Sequence, residues 1–182
     1  VQENKKLFDI YQEHKSWAEI LNISTIGNLN AFTLNNKSGH VIKISEALHE
    51  KKIAEIANKI SSKNGDAKVV LVAGPSASGK TTFSKRLGVQ LAVNGMRPYQ
   101  ISLDDYFVDR EKTPKDEFGE FDFEALEAID IDFFNKQLCE LMDGKEVQLP
   151  KFDFQLGKRT QSGNSLKLQP GDILIVEGIH GM

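Results

Sequence analysis

Residues 74–81 match the pattern G-x-x-x-x-G-K-[ST], with Gly74, Gly79, Lys80 and Thr81 at its fixed positions. In this pattern the glycines let the backbone pass close to phosphate oxygens, and the amides that open the following helix point at the anion. The lysine reaches the outer phosphates, and the threonine hydroxyl binds Mg²⁺. We therefore predict a nucleotide site. Its predicted residues are Gly74, Pro75, Ser76, Ala77, Ser78, Gly79, Lys80, Thr81 and Thr82.

Carboxylates follow two further apolar segments. Asp104 and Asp105 end a strand-like run, and Glu177 comes directly after Ile173–Val176. In an open α/β sheet, ligands bind at the carboxyl ends of the strands, so these side chains should lie on the same edge as the phosphate loop. We predict that Asp104 accepts a proton from an attacking hydroxyl or helps to hold Mg²⁺, and that Glu177 is a second Mg²⁺ contact. A solvated Asp pair that opens a loop is the alternative.

Short elements of both kinds position these residues. Apolar runs predict parallel strands at 69–73, 99–103 and 173–176, and period-four apolar residues predict helices after residue 80 and over 129–142. Short strands at 147–149, 152–154 and 166–168, with a turn at 162–164, predict a small β insertion that forms a wall of the acceptor pocket or only a structural hairpin. The polar segment 108–119 reads as a mobile loop near the site or as a plain solvated loop.

Five ordered motifs resemble those of the uridine kinase and phosphoribulokinase family, closest to its uridine kinase branch. They are the loop 74–82, then 102–107 (SLDDYF), 121–123 (FDF), 149–154 (LPKFDF) with Arg159, and 176–180 (VEGIH). The resemblance implies an α/β fold of the P-loop NTPase type, with a parallel sheet flanked by helices. It also implies transfer of a phosphoryl group from ATP or GTP, with Mg²⁺, to a small-molecule hydroxyl.

The same resemblance implies roles for single residues. Asp104 matches the general base and is, with Lys80, one of the two expected catalytic residues. Asp122 matches the acidic residue that holds ribose hydroxyls. Phe107, Phe152 and Arg159 match positions of the acceptor pocket. Thr81, Glu177 and Asp104 are the expected metal contacts.

Some positions depart from the family pattern. Gly157 stands where uridine kinases typically carry a histidine that contacts uracil, and Phe107 and Phe152 stand where tyrosines are common. The 5′-OH of a pyrimidine nucleoside, uridine or cytidine, is the expected acceptor. Pantothenate or a sugar phosphate is the alternative within the kinases, and a non-catalytic nucleotide-binding regulatory module is the alternative outside them.

Residues 1–65 form a predicted helical appendage, with helices over 6–21 and 42–60, and residues 66–182 a predicted P-loop kinase domain. We expect this domain to be incomplete, because three parallel strands are visible and no arginine-rich lid segment follows them. On that account the chain alone should be less active than the longer protein from which it comes.

Composition bounds the partners. A net charge of −3 without a basic cluster argues against nucleic acid, and no stretch is long and apolar enough for a membrane span. The lone Cys139 excludes a disulfide framework and is expected to be buried. A cytoplasmic enzyme with a small-molecule partner is the prediction, and a homo-oligomer is left open.

Overall fold

The computed structural model describes residues 5–63 and 65–179, which form an α/β protein. The helices are α1 (Lys5–Ile20), α2 (Ile26–Leu34), α3 (Ser38–Ser61), α4 (Lys80–Val93) and α5 (Ile131–Met142). The strands are β1 (Val69–Ala73), β2 (Arg97–Ser102), β3 (Val147–Asp153), β4 (Lys158–Leu166) and β5 (Asp172–Gly178). Among the described residues, no helix has the length and apolar character needed to cross a membrane.

The chain divides into two compact units, residues 1–55 and 56–182. In the first unit, α2 begins at the N-cap residue Thr25, whose hydroxyl accepts the Asn28 N–H, and an ion pair joins Lys52 to Glu13. The two long helices of this region were predicted, and α2 was not. The predicted domain boundary after residue 65 stays a prediction.

The second unit is built on a three-stranded parallel sheet of order β1-β5-β2. Every residue of the central strand β5 is buried, which agrees with the continuous apolar run from which it was predicted. Helix α4 packs on this sheet and buries Leu87 and Leu91. The sheet and α4 therefore fix the two ends of the phosphate loop.

The predicted β insertion is a single two-stranded hairpin, β3–β4, rather than three short strands. The turn predicted at 162–164 is wrong, because these residues lie inside β4, where Gly163 has φ +76° and the register shifts opposite Leu149. A glycine with positive φ serves a bulge here instead of a turn. The chain reverses at 154–157, which we call the hairpin turn.

A hydrophobic core lies between the sheet, α5 and the hairpin. It contains the side chains of Ile101, Leu103, Tyr106, Phe107, Ala128, Ile129, Leu141, Val147, Phe152, Leu166, Leu174 and Val176. The prediction that Cys139 is buried is wrong, because it lies on the exposed face of α5. The core joins the hairpin to the chain that follows β2.

Gly178 brings the ends of β5 and β2 into close contact. A Cβ atom at this position would lie 2.7 Å from the Cβ of Leu103, a separation that side chains do not tolerate. Because Gly178 follows Glu177 and Leu103 precedes Asp104, this contact sets the distance between the two carboxylate-bearing segments.

We predict that Gly178→Ala lowers the free energy of unfolding by about 1–3 kcal/mol, the usual cost of overpacking a core. The measurement is urea unfolding. Gly39→Ala is the control, since no atom lies within 4 Å of a Cβ there, and it should change stability by no more than about 1 kcal/mol. Equal effects of the two substitutions would contradict the close contact.

Candidate functional site

The phosphate loop joins β1 to α4 and has the backbone that its sequence predicts. Gly79, the N-cap of α4, has φ +86°, and Ala77 has φ +57°. A Cβ at Gly74 would lie 2.9 Å from Ser78 Oγ, so the loop closes tightly on itself. The ammonium group of Lys80 donates a hydrogen bond of 2.8 Å to the Pro75 carbonyl oxygen. The loop thus presents the first turn of α4 and a positive charge together, as an anion site requires.

Glu177 connects three elements at the carboxyl edge of the sheet. Its Oε1 accepts hydrogen bonds from Thr81 Oγ1 (3.2 Å) and Ser102 Oγ (3.1 Å), and the residue is 9% exposed. Thr81 lies in the first turn of α4, and Ser102 ends β2 directly beside Glu177 in the sheet register. Both donors are neutral hydroxyls, and the carboxylate lies beside the start of helix α4.

This arrangement fits a magnesium ion. The hydroxyl of Thr81 and the carboxylate of Glu177 are hard oxygen ligands that one ion could contact together, and Mg²⁺ is commonly held by one or two such groups plus phosphates. Over residues 5–63 and 65–179, no three His, Cys, Asp or Glu side chains gather into a metal-binding cluster. A metal at this edge would therefore depend on the nucleotide for further ligands.

Two adjacent carboxylates, Asp104 and Asp105, follow β2. Both lie on a short 3₁₀ turn, Leu103–Tyr106. Asp105 Oδ1 accepts the Phe152 N–H (3.3 Å) and lies 3.0 Å from the ammonium of Lys151, so this side chain is engaged with the hairpin. Asp104 lies on the same turn and is likewise partly exposed, and its role as the general base stays a prediction.

Tyr106 closes the turn inside the core. Its hydroxyl donates to Gln137 Oε1 (2.9 Å), and its ring packs edge-on against Phe134. Burial, and then the negative charge of Asp105, raise the pKa of Tyr106 above its usual range, while Arg159 acts in the opposite direction. Tyr106 is therefore a neutral hydrogen-bond donor with a structural role.

The residues predicted to contact the acceptor are held by protein groups. Phe107 and Phe152 are 4% and 2% exposed, with ring centroids 5.6 Å apart. Asp122 Oδ1 accepts the N–H groups of Glu124 and Ala125. Arg159 pairs with Asp130 (2.9 Å) and lies over the ring of Phe133. These contacts give each residue a structural role, and their binding roles stay predictions.

Sequence reasoning missed three residues that shape this region: Ser102, Lys151 and Arg110. Ser102 had a signal, since it is a hydroxyl at the end of a strand that leads into the acidic pair. Lys151 and Arg110 contact residues more than 40 positions away, Asp105 and Phe154, and no local pattern indicates such pairs.

We predict that Asp105→Ala lowers the free energy of unfolding by about 1–3 kcal/mol, because it leaves the N–H of Phe152 unsatisfied in the core. Lys151→Ala removes only a partly exposed ion pair and should cost at most about 1 kcal/mol. Urea unfolding of both variants measures this difference. Equal losses would mean that the ion pair, and not the backbone hydrogen bond, fastens the hairpin.

Comparisons with known proteins agree with this geometry. The chain is 34% identical over 111 residues to the uridine kinase of Limosilactobacillus reuteri (strain DSM 20016), a match that covers 61% of this chain and 49% of that protein. It is 32% identical over 115 residues to the uridine kinase of Brevibacillus brevis, covering 63% and 52%. The chain thus spans about half the length of the curated relatives that it matches.

Solved structures share the fold. A structure described as a possible uridine kinase from Bacillus stearothermophilus superposes with a TM-score of 0.59 at 23% identity, covering 70% of each chain. The D-glycerate 3-kinase from Cryptococcus neoformans superposes with a TM-score of 0.52 at 22% identity, covering 72% of this chain and 52% of that one. The sequence pattern of the phosphoribulokinase / uridine kinase family matches residues 69–182, and the chain belongs to that family.

Proposed function

We propose that this chain carries the nucleotide side and part of the acceptor side of a kinase that phosphorylates a small-molecule hydroxyl. The observation that carries the proposal is the Glu177 carboxylate, which receives hydrogen bonds from Thr81 and Ser102 where the phosphate loop meets the Asp104 turn. Nucleotide, metal and base groups thereby share one edge of the sheet, as phosphoryl transfer needs.

In the proposed reaction, the loop amides and Lys80 bind the phosphates of ATP or GTP. Thr81 and Glu177 hold Mg²⁺, which when bound neutralises charge on the phosphate oxygens. Asp104 accepts the proton as the acceptor oxygen forms its bond to the γ-phosphorus, and the bond from that phosphorus to the bridging oxygen breaks to release the nucleoside diphosphate. Asp122, Phe107, Phe152 and Arg159 are the proposed acceptor-side residues.

The proposed acceptor is the 5′-OH of uridine or cytidine. The names of the curated relatives support this choice. Gly157 and the missing tyrosine hydroxyls at 107 and 152 favour a broader or different acceptor, because a site that lacks its hydrogen-bonding groups loses selectivity. Pantothenate or a sugar phosphate is the second candidate. The cytoplasmic location and a homo-oligomer stay predictions.

A thermal-shift series tests the acceptor. Mg·ADP is added to the protein, and then uridine, cytidine, adenosine, pantothenate or ribulose 5-phosphate is added singly. A ligand at one hundred times its Kd stabilises the folded state by about 2.7 kcal/mol, which gives a measurable shift without any turnover. A further rise with a pyrimidine nucleoside alone supports the proposal. A rise with pantothenate or the sugar phosphate alone would contradict the nucleoside assignment.

We predict that Asp104→Asn lowers kcat of the protein by ~10²–10⁴-fold, the usual contribution of a general base, while stabilisation by Mg·ADP is retained. Asp105→Asn is the matched control, since it changes the neighbouring carboxylate that contacts the hairpin. Unchanged turnover in Asp104→Asn would contradict the assignment of Asp104 as the base. An unsubstituted protein that transfers no phosphoryl group to any tested acceptor would favour a nucleotide-binding regulatory module.

A further inference from the structure

The segment that follows the candidate base runs along the hairpin and is fastened to it at three places. Asp105 accepts the Phe152 N–H on β3, and Asp109 Oδ1 accepts the Arg159 N–H on β4 (3.1 Å). The N–H of Arg110 donates to the carbonyl oxygen of Gly157 in the hairpin turn (2.8 Å). Asp109 and Arg110 belong to the segment 108–119 predicted as a mobile or solvated loop, and they tie its start to β4 and to the hairpin turn.

Arg110 and Gly157 fit together as a pair. Gly157 has φ +65°, and a Cβ built on it would lie 2.7 Å from Arg110 Nε and 2.9 Å from Arg110 Cβ. The guanidinium also donates to the carbonyl oxygen of Phe154. The Arg110 side chain therefore fills the space that a side chain at position 157 would need. Its guanidinium contacts the turn at Phe154, and the backbone N–H of Arg110 contacts it at Gly157.

The residue that Arg110 holds is the exposed member of an aromatic cluster. Phe154 packs against Phe107 (ring centroids 6.2 Å apart) and Phe152 (5.1 Å), and it is 55% exposed where those two are buried. Phe154 is thus the ring that this part of the cluster presents to solvent. Its position depends on the turn, and the turn is held by Arg110.

We propose that Arg110 is a positioning residue for the acceptor side of the site: it fixes the hairpin turn, and with it Phe154, relative to the turn that carries Asp104. This inference rests on the proposed function. It assigns Arg110 no contact with the reacting atoms. A displaced turn should weaken acceptor binding. Nucleotide binding should stay unaltered, because the contacts of Arg110 with the hairpin turn do not involve the phosphate loop or Glu177.

The test compares three variants of the protein with the unsubstituted protein: Arg110→Ala, Arg110→Lys and Arg97→Ala. Arg97 is the matched control, because it also donates to a backbone carbonyl, that of Pro170, and to Asp172, at the opposite edge of the sheet. We expect Arg110→Ala to raise KM for the acceptor about tenfold, as loss of the charged hydrogen bond to Phe154 does, with kcat and KM for ATP within about twofold of the unsubstituted protein. Arg110→Lys should restore part of the loss.

Amide hydrogen exchange gives a readout that does not need activity. Exchange in the hairpin turn, where the Gly157 N–H donates to the Asp153 carbonyl oxygen (2.7 Å), should accelerate in Arg110→Ala and stay unchanged in Arg97→Ala. Unchanged exchange in Arg110→Ala would overturn the positioning role, and so would an acceptor KM equal to that of Arg97→Ala. An inactive unsubstituted protein would overturn the proposed function instead. Failure of the positioning role and failure of the proposed function are therefore distinguished.

Discussion

The nucleotide side of this protein depends on the hydrogen bonds that the Glu177 carboxylate accepts from Thr81 and Ser102. A nearly buried carboxylate is costly unless hydrogen bonds satisfy it, and here the donors come from two different elements, α4 and β2. The hydrogen bonds therefore position the first turn of α4 against the end of β2 while β5 provides the carboxylate. Because β5 is the central strand, the sheet order β1-β5-β2 places this charge between the phosphate loop and the acidic turn.

The proposed acceptor side is assembled in a different way. The hairpin β3–β4 forms its own two-stranded sheet and joins the rest of the unit through side chains: Asp105 with the Phe152 N–H, Asp109 with the Arg159 N–H, and the aromatic packing around Phe107. A backbone hydrogen bond, from the Arg110 N–H to the Gly157 carbonyl oxygen, also holds the hairpin turn. The phosphate loop thus follows a strand that backbone hydrogen bonds pair with β5, whereas the proposed acceptor side depends more on side-chain contacts, which single substitutions can change.

The sequence predicted the parts that local patterns determine. The bounds of β1 follow from its apolar run, and the phosphate loop follows from the spacing of Gly74, Gly79 and Lys80. The position of the hairpin turn was not predicted by these patterns. Glycine, serine and asparagine at 162–164 indicate a turn, yet they form a bulge in an exposed strand, and the true turn carries only Gly157 as a typical turn residue. The contacts of Asp105 with Lys151 and Phe152 join residues more than 40 positions apart, which local spacing does not reveal.

The order of the strands also constrains how the protein can be made. Strands β1 and β2 do not pair with each other. Both pair with β5, which is the last of the three strands in the chain. The parallel sheet therefore forms only after residue 178 has left the ribosome. About 100 residues separate β1 from β5, and at cellular synthesis rates they take on the order of 5–20 s to produce. During that interval the apolar strand before the phosphate loop has no partner in the sheet, and unpaired strand edges of this kind favour aggregation.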